Sequence, residues 1–240
     1  MDKTATARLP NGQMVQYTFP YTPFMEFVCQ RLMTAAEYPV LTFLNPGVIV
    51  DVGANVGCTS LMFAGLYPNA QVVAIEPAAE PFGYLTRNTG HLPRVKAFCF
   101  GAFDRDGTAA LHLGKDGSVA NSLAKNAFSD GREESITLRR FSTFLREQGV
   151  ERISILKLDT EGAELPILQD IAGMLEKVDA IMLEYHSEAD RRAIDAMLAP
   201  RYMLFSAASP HPHRGTCCYV AKKMVQERTP FDALAIGRMG

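Results

Sequence analysis

Short runs of branched apolar residues alternate along the chain with helix-length segments, and that alternation predicts a parallel sheet covered by helices. The runs place strands at Val48 to Val52, Gln71 to Ile75, Lys96 to Gly101, Ile153 to Leu158, Ala180 to Glu184, Met203 to Ser206 and Cys217 to Ala221. Helices are expected near Thr59 to Tyr67, Ala79 to His91, Phe141 to Gln148, Leu165 to Leu175 and Glu188 to Leu198. Pro166 falls in a first helical turn, where its missing N–H costs nothing. Ser187 is positioned to cap the last of these helices.

Two regions break the rhythm. Residues 1–47 read as an N-terminal lead, in which YTFPYTP suggests a strand and turn and Phe24 to Ala36 an apolar helix. Residues 104–134 are rich in Gly, Asp, Ser, Asn and Lys around one alternating strand at Ala109 to Leu113. A polar insertion of this length is expected to be a functional lid or mobile loop. The division that follows is a lead at 1–47, a main domain at 48–221 and a tail at 222–240.

With 240 residues, 48% of them hydrophobic and 21% charged, one large α/β domain is the economical reading, and a disordered or fibrous chain is excluded. The 24 basic and 26 acidic residues nearly cancel, so neither nucleic acid nor a membrane surface is an expected partner, and a small molecule is. Oligomeric state is not legible. The apolar runs are strand-sized and the first residues lack the core of a signal peptide, so a cytoplasmic protein is expected. Five cysteines without C-x-x-C spacing read as reduced thiols rather than a disulfide framework.

The candidate chemistry begins at VIVDVGANVG, Val48 to Gly57, where a buried strand ends in an acid and passes through glycines into a helix. Glycines let the backbone approach a ligand, and a helix N-terminus receives an anion. The next strand ends in Glu76, 25 residues after Asp51, where doubly wound folds place an acid for ribose hydroxyls. Asp51 decides between two ligands. A carboxylate beside a dinucleotide's pyrophosphate would repel it, whereas one beside a cationic amino group is favourable, and S-adenosylmethionine carries such a group. Asp51, Gly53, Asn55, Gly57 and Glu76 are therefore the candidate cofactor residues.

DVGANVG, then IEP, LKLDTEGAE at Leu156 to Glu164 and LEYH at Leu183 to His186 resemble, in order, the motifs of the FkbM family of S-adenosylmethionine-dependent methyltransferases. The resemblance runs from about Tyr38 to Val220, and LKLDTEGAE is its most specific part. It implies a doubly wound, Rossmann-like class I methyltransferase sheet of seven strands with the last reversed, and O-methylation of sugar or specialised-metabolite hydroxyls. One departure is TLRRF, with Arg139 and Arg140 where such sequences often carry an acidic pair.

LKLDTEGAE sets Asp159, Glu161 and Glu164 within six residues, and alternation along an extended segment would point Asp159 and Glu161 together into the pocket. Glu184 and His186 end the neighbouring strand with the same spacing. Asp159, Glu161, Glu184 and His186 are the candidate catalytic group, with His186 the first choice as proton acceptor because it titrates nearest neutrality, and Asp159 the second. No metal is the expectation; if Mg²⁺ were bound, Asp159 and Glu184 would be its ligands. Glu164 reads as structural, at a helix start, and Lys157 as a charge partner. The chain has no [DNS]-P-P-[YF] after its fourth strand, which favours oxygen over nitrogen as the acceptor atom.

His211, His213, Cys217 and Cys218 match no usual zinc spacing. A reversed last strand would instead bring PHPHRG, Pro210 to Gly215, over the acceptor pocket, where His211, His213 and Arg214 would form a substrate loop for polar or anionic acceptors. The competing readings are an NAD(P)-linked oxidoreductase, from the glycine-bearing turn, and a non-catalytic module that binds S-adenosylmethionine.

Overall fold

The computed structural model describes residues 1–114, 121–123, 129–211 and 213–226. The chain opens with a hairpin, β1 (Asp2–Arg8) against β2 (Met14–Pro20), and a helix, α1 (Pro23–Met33). Strand and helix then alternate through β3 (Val48–Val52), α2 (Cys58–Leu66), β4 (Gln71–Ile75), α3 (Ala79–Thr89) and β5 (Val95–Phe98). Next come β6 (Gly101–Phe103), β7 (Gly107–Gly114) and β8 (Ser129–Arg140), which form a three-stranded sheet of their own. Alternation resumes with α4 (Phe141–Glu147), β9 (Ile153–Leu158), α5 (Glu164–Asp170), β10 (Val178–Tyr185), α6 (Glu188–Leu198), β11 (Tyr202–His211), β12 (Arg214–Ala221) and α7 (Lys222–Gln226).

The main sheet has seven strands in the order β11-β12-β10-β9-β3-β4-β5, parallel except for β12, which runs against both its neighbours. Its central strands are buried on both faces, as branched apolar runs require. Val50, Leu156 and Ile181 pack with Phe141, Ile167 and Ile194 on one side. Ile49, Ile155 and Met182 pack with Met25, Leu61 and Phe63 on the other. The strand order reverses beside β3, whose neighbours are β9 and β4, and a ligand crevice belongs at the carboxyl ends there.

The expected strands at Val48 to Val52, Gln71 to Ile75 and Ile153 to Leu158 are seen with those bounds. Ser187 caps α6 by accepting from the Asp190 N–H at 3.0 Å, and Pro166 sits in the first turn of α5. Three expectations need correction. The run Lys96 to Gly101 is not one strand, because β5 leaves the main sheet after Phe98 and Gly101 begins pairing with Leu138 of β8. The expected helix from Leu165 to Leu175 stops at Asp170 and gives way to a 3₁₀ turn over Ala172–Lys177. The insertion at 104–134 is, in its described part, the strand pair β7–β8, whose Leu111, Ile136 and Leu138 pack on Ala78; the rest lies outside the described residues. Of the expected tail, α7 is seen and residues 227–240 lie outside the described residues.

The lead carries one strand more than expected. Asn11-Gly12 between alternating segments is a hairpin signal, and Gly12 takes the left-handed conformation (φ 88°) that the turn demands. Among the described residues no helix is long and apolar enough to cross a membrane.

Candidate active site

A cavity of about 570 Å³ opens at the carboxyl ends of β3, β4, β9 and β10. Its floor is made by the turns after these strands, and α1, the small sheet and the β11–β12 hairpin supply its walls.

The glycine-bearing turn after β3 is held by the protein itself. Gly53 (φ 75°) approaches the turn after β9 so closely that a Cβ there would stand 1.8 Å from the Asp159 carbonyl oxygen. Gly57 (φ 90°) would meet Leu85 of α3 at 2.9 Å. Both glycines are thus demanded by packing of one protein segment on another, and Gly53 also lines the cavity. Glu76 ties the turn to the next one: its carboxylate accepts the Asn55 N–H at 2.9 Å and the Ala78 N–H at 3.0 Å. Burial pushes its carboxyl up to about 7, although both N–H groups pull the other way. Glu76 lines the cavity, and its carboxylate has acceptor capacity beyond these two bonds.

Asp51 is placed beneath that turn. Its carboxylate is fully buried, accepts the Ser60 hydroxyl of α2 at 2.6 Å and pairs with Lys157 at 3.2 Å. The partner expected for it is a cofactor amino group; in the structure its neighbours are the protein groups Ser60 and Lys157. Lys157 is directly opposite on β9 and only 2% exposed. Its ammonium also donates to the Gly53 carbonyl at 2.6 Å and lies 3.7 Å from Asp159. Burial opposes this charge, yet Asp51 and Asp159 raise the Lys157 pKa above the usual lysine value. The charge-partner reading of Lys157 fits this geometry.

Asp159 lines the cavity and receives the Tyr38 hydroxyl at 3.0 Å. Burial pushes its carboxyl up to about 7 against the pull of Lys157, with Glu184 and Glu161 adding to the rise. Tyr38 is itself buried, and its phenol is held well above the ordinary range by that burial and by Asp159, so it stays a donor. Sequence reasoning missed Tyr38. It lies 121 positions from its partner, in a lead where no motif marks it.

Glu161 does not reach the site by strand alternation, because β9 ends at Leu158. Instead the chain turns through left-handed conformations at Glu161 (φ 55°) and Gly162 (φ 113°). Ser122 donates to the Glu161 carbonyl at 2.9 Å, and Glu164 accepts the Thr160 N–H at 2.7 Å, so the turn is pinned from both sides. That gives Glu164 the structural task expected of it.

His186 is the main correction. Its ring nitrogens lie 3.1 Å from Glu161, 3.5 Å from Glu164 and 3.6 Å from Glu184. Burial works against a charge there, but the three carboxylates override it and push the imidazole up to about 12. A group that holds its proton through neutral pH cannot take another, so His186 does not fit the proton-acceptor role expected of it.

Arg214 lines the cavity and is also bound from within the protein. The reversed β12 brings the hairpin over the same sheet edge, and Pro210 and His211 line the cavity. The Arg214 guanidinium, however, is engaged by the protein: it donates to both oxygens of Glu184 at 2.5 and 3.0 Å and to Glu161 at 2.6 Å. Burial would raise Glu184, yet His186 and Arg214 hold it far below the usual carboxylate range. His213 is exposed beside His211, and Pro212 between them lies outside the described residues. Ligand atoms of Asp159, Glu161, Glu184 and His186 do fall within 4.8 Å of one another, a spacing fit for a cation. Arg214 and the protonated His186 already supply the positive charge, so the arrangement does not suit Mg²⁺ as it stands.

The model of the methyltransferase FkbM domain matches residues 51–207 of the chain. Methyltransferase sdnD of Sordaria araneosa is 31% identical over 177 residues, covering 61% of this chain and 68% of that protein. The 2-O-methyltransferase NoeI of Sinorhizobium fredii is 28% identical over 171 residues, covering 65% and 69%. The solved structure of an FkbM methyltransferase from Methylobacillus flagellatus superposes with a TM-score of 0.54 at 17% identity, which is a likeness of fold; it covers 78% of this chain and 47% of that one.

Proposed function

The chain belongs to the FkbM methyltransferase family, and from that premise we propose that it moves a methyl group from S-adenosylmethionine to a hydroxyl oxygen of a sugar or specialised-metabolite acceptor, with Asp159 as the proton acceptor. The observation that carries the reading is Asp159 itself: a carboxylate on the cavity floor, shifted to about 7 and fixed by Tyr38. A general base is most effective when its pKa lies near the working pH.

The cofactor supplies an electrophilic methyl on a sulfonium, which departs as a neutral thioether. Glu76 is suited to accept hydrogen bonds from ribose hydroxyls, and the start of α2 to receive a carboxylate. Lys157 fixes the Gly53 turn against Asp51 and Asp159, so the two sides of the site keep their spacing. As the acceptor oxygen forms its bond to carbon, its O–H proton passes to Asp159, and product release returns the proton to water. Alignment supplies the remaining acceleration. Glu161, Glu184, His186 and Arg214 act as a charge-balanced frame around Asp159, and no step is routed through a metal.

An oxygen acceptor is favoured by NoeI being a 2-O-methyltransferase. The remaining alternatives are separated by titration calorimetry. S-adenosylhomocysteine binding without NAD binding is expected, NAD binding would restore the oxidoreductase reading, and binding of neither would defeat both. Asp159→Asn then separates an enzyme from a binding module: turnover should fall by about 10²- to 10⁴-fold with S-adenosylhomocysteine affinity retained. Unchanged turnover would remove Asp159 from the reaction.

A further inference from the structure

Helix α1 has two apolar stripes where a surface helix normally has one. Met25, Cys29 and Met33, at i, i+4 and i+8, are buried against the core. Phe24 and Phe27 stand on another side with Val28, Arg31 and Leu32, and all five line the cavity. The two rings are 48% and 55% exposed, and nothing in folding rewards them for being there. Phe27 is nonetheless held: the Arg31 guanidinium lies 5.7 Å over its ring and is itself fixed by Glu37 at 2.8 Å.

The position of this surface is informative. The chain leaving α1 carries Tyr38, whose hydroxyl touches Asp159, and Phe24, Phe27 and Asp159 line the same cavity. Lys157, Asp159 and Glu184 emerge on the sheet face that packs against α1, because they continue the alternation of Ile155 and of Ala180 and Met182. Glu76 and the small sheet lie towards β4 and β5, on the far side of Gly53. The family match begins at residue 51, so α1 lies in a part of the chain that the common domain does not specify.

We propose that this face of α1 is the acceptor subsite and that it selects an amphipathic alcohol, whose apolar group lies on Phe24 and Phe27 while its hydroxyl points to Asp159. The proposal rests on the reading of the cavity as a methyl-transfer site. The apolar platform sets which alcohol enters, and the polar floor sets which oxygen reacts. Pro210 and His211 close the cavity from the hairpin. An acceptor whose apolar surface is limited to the C–H face of a sugar covers less of the two rings than one that also carries an alkyl group, and gains correspondingly less from them.

Two probes with one hydroxylated head and different apolar groups test this: methyl β-glucoside and octyl β-glucoside, the latter below its micelle concentration. Each is titrated into the full chain saturated with S-adenosylhomocysteine. Octyl glucoside should bind at least about tenfold more tightly than methyl glucoside, and the F24A/F27A double variant should lose that preference. Its S-adenosylhomocysteine affinity should stay within about twofold of wild type, which also shows that the variant is folded. Equal binding of the two glucosides to wild type, or an undiminished preference in the variant, overturns the proposal. A wild-type dimer in sedimentation that F24A/F27A dissolves would also overturn it, assigning the rings to a second copy. Failure of wild type to bind S-adenosylhomocysteine would instead sink the methyl-transfer reading.

Discussion

The Tyr38 hydroxyl donates to Asp159 at 3.0 Å, joining the N-terminal lead to the turn after β9. A hydrogen bond to the ionised form stabilises it, so this contact holds the Asp159 pKa down against the burial that raises it to about 7. Tyr38→Phe keeps the ring and removes the bond. The Asp159 pKa should then climb by about one to two units, because a hydrogen bond to a charged group is worth about 1.5–3 kcal/mol. Turnover at pH 7 should fall about fivefold or more and recover towards wild type at higher pH. A pH profile of kcat whose acid limb does not move would make Tyr38 a packing residue only.

His186 is expected to act on stability rather than as a base. Its folded pKa of about 12 exceeds the ordinary 6.5, so between those values the native state keeps a proton that the unfolded chain has lost. Its contribution is therefore complete below pH 6.5 and is lost as pH rises towards 12. Urea unfolding at pH 6 and pH 9 should show wild type losing stability across this interval, and His186→Gln losing less. At pH 6 the variant should be destabilised by about 3–5 kcal/mol, since it leaves Glu161, Glu164 and Glu184 facing one another. A kcat profile with an inflection that disappears in His186→Gln, at unchanged stability, would return the residue to catalysis.

If Glu76 binds the ribose as proposed, cofactor affinity is expected to depend on pH. Buried, with its carboxyl at about 7, it gains its full acceptor capacity only as pH rises through that value. The affinity for S-adenosylhomocysteine should tighten between pH 6 and pH 8 in wild type and stay flat in Glu76→Gln. At pH 8 the variant should bind about tenfold more weakly, the loss of one charge-assisted bond. Titration calorimetry at the two pH values decides it, and parallel curves would mean that Glu76 only holds the turn through Asn55 and Ala78.

What was legible in the sequence follows the range of the interaction. β3, β4 and β9 are legible with their bounds because two-faced burial writes itself as a short run dominated by branched apolar residues, with Asp51 and Lys157 the buried exceptions. The site motifs are legible for the same local reason: Asp159, Glu184 and His186 converge from strand ends, while Glu161 joins them through the left-handed turn after β9. Their roles were not legible, because a role depends on charges supplied from elsewhere. Nothing in LEYH says that Glu161 and Glu164 will surround His186, and nothing in PHPHRG says that Arg214 will turn inwards to Glu184. The split of Lys96 to Gly101 is hidden too, since the chain stays apolar from Ala97 through Phe100 as it crosses between the two sheets.

Arg214 supplies the remaining prediction, because one side chain replaces the cation that its neighbourhood would otherwise call for. Its fork spans Glu184 and Glu161, with the protonated His186 on their other side. EDTA should therefore leave wild-type turnover unchanged, and Mg²⁺ should not raise its melting temperature. Arg214→Met keeps the unbranched stem and removes the charged guanidinium, so the two carboxylates lose their partner and the hairpin its anchor. A loss of about 1–3 kcal/mol is expected, less than for a fully buried pair because the Arg214 side chain is 36% exposed. In that variant Asp159, Glu161 and Glu184 regain the spacing of an oxygen-rich cation site, so millimolar Mg²⁺ should recover part of the lost stability. Thermal unfolding of both proteins with and without Mg²⁺ provides the check. A wild type that EDTA inactivates and Mg²⁺ restores would show that Arg214 does not fill the cation's place.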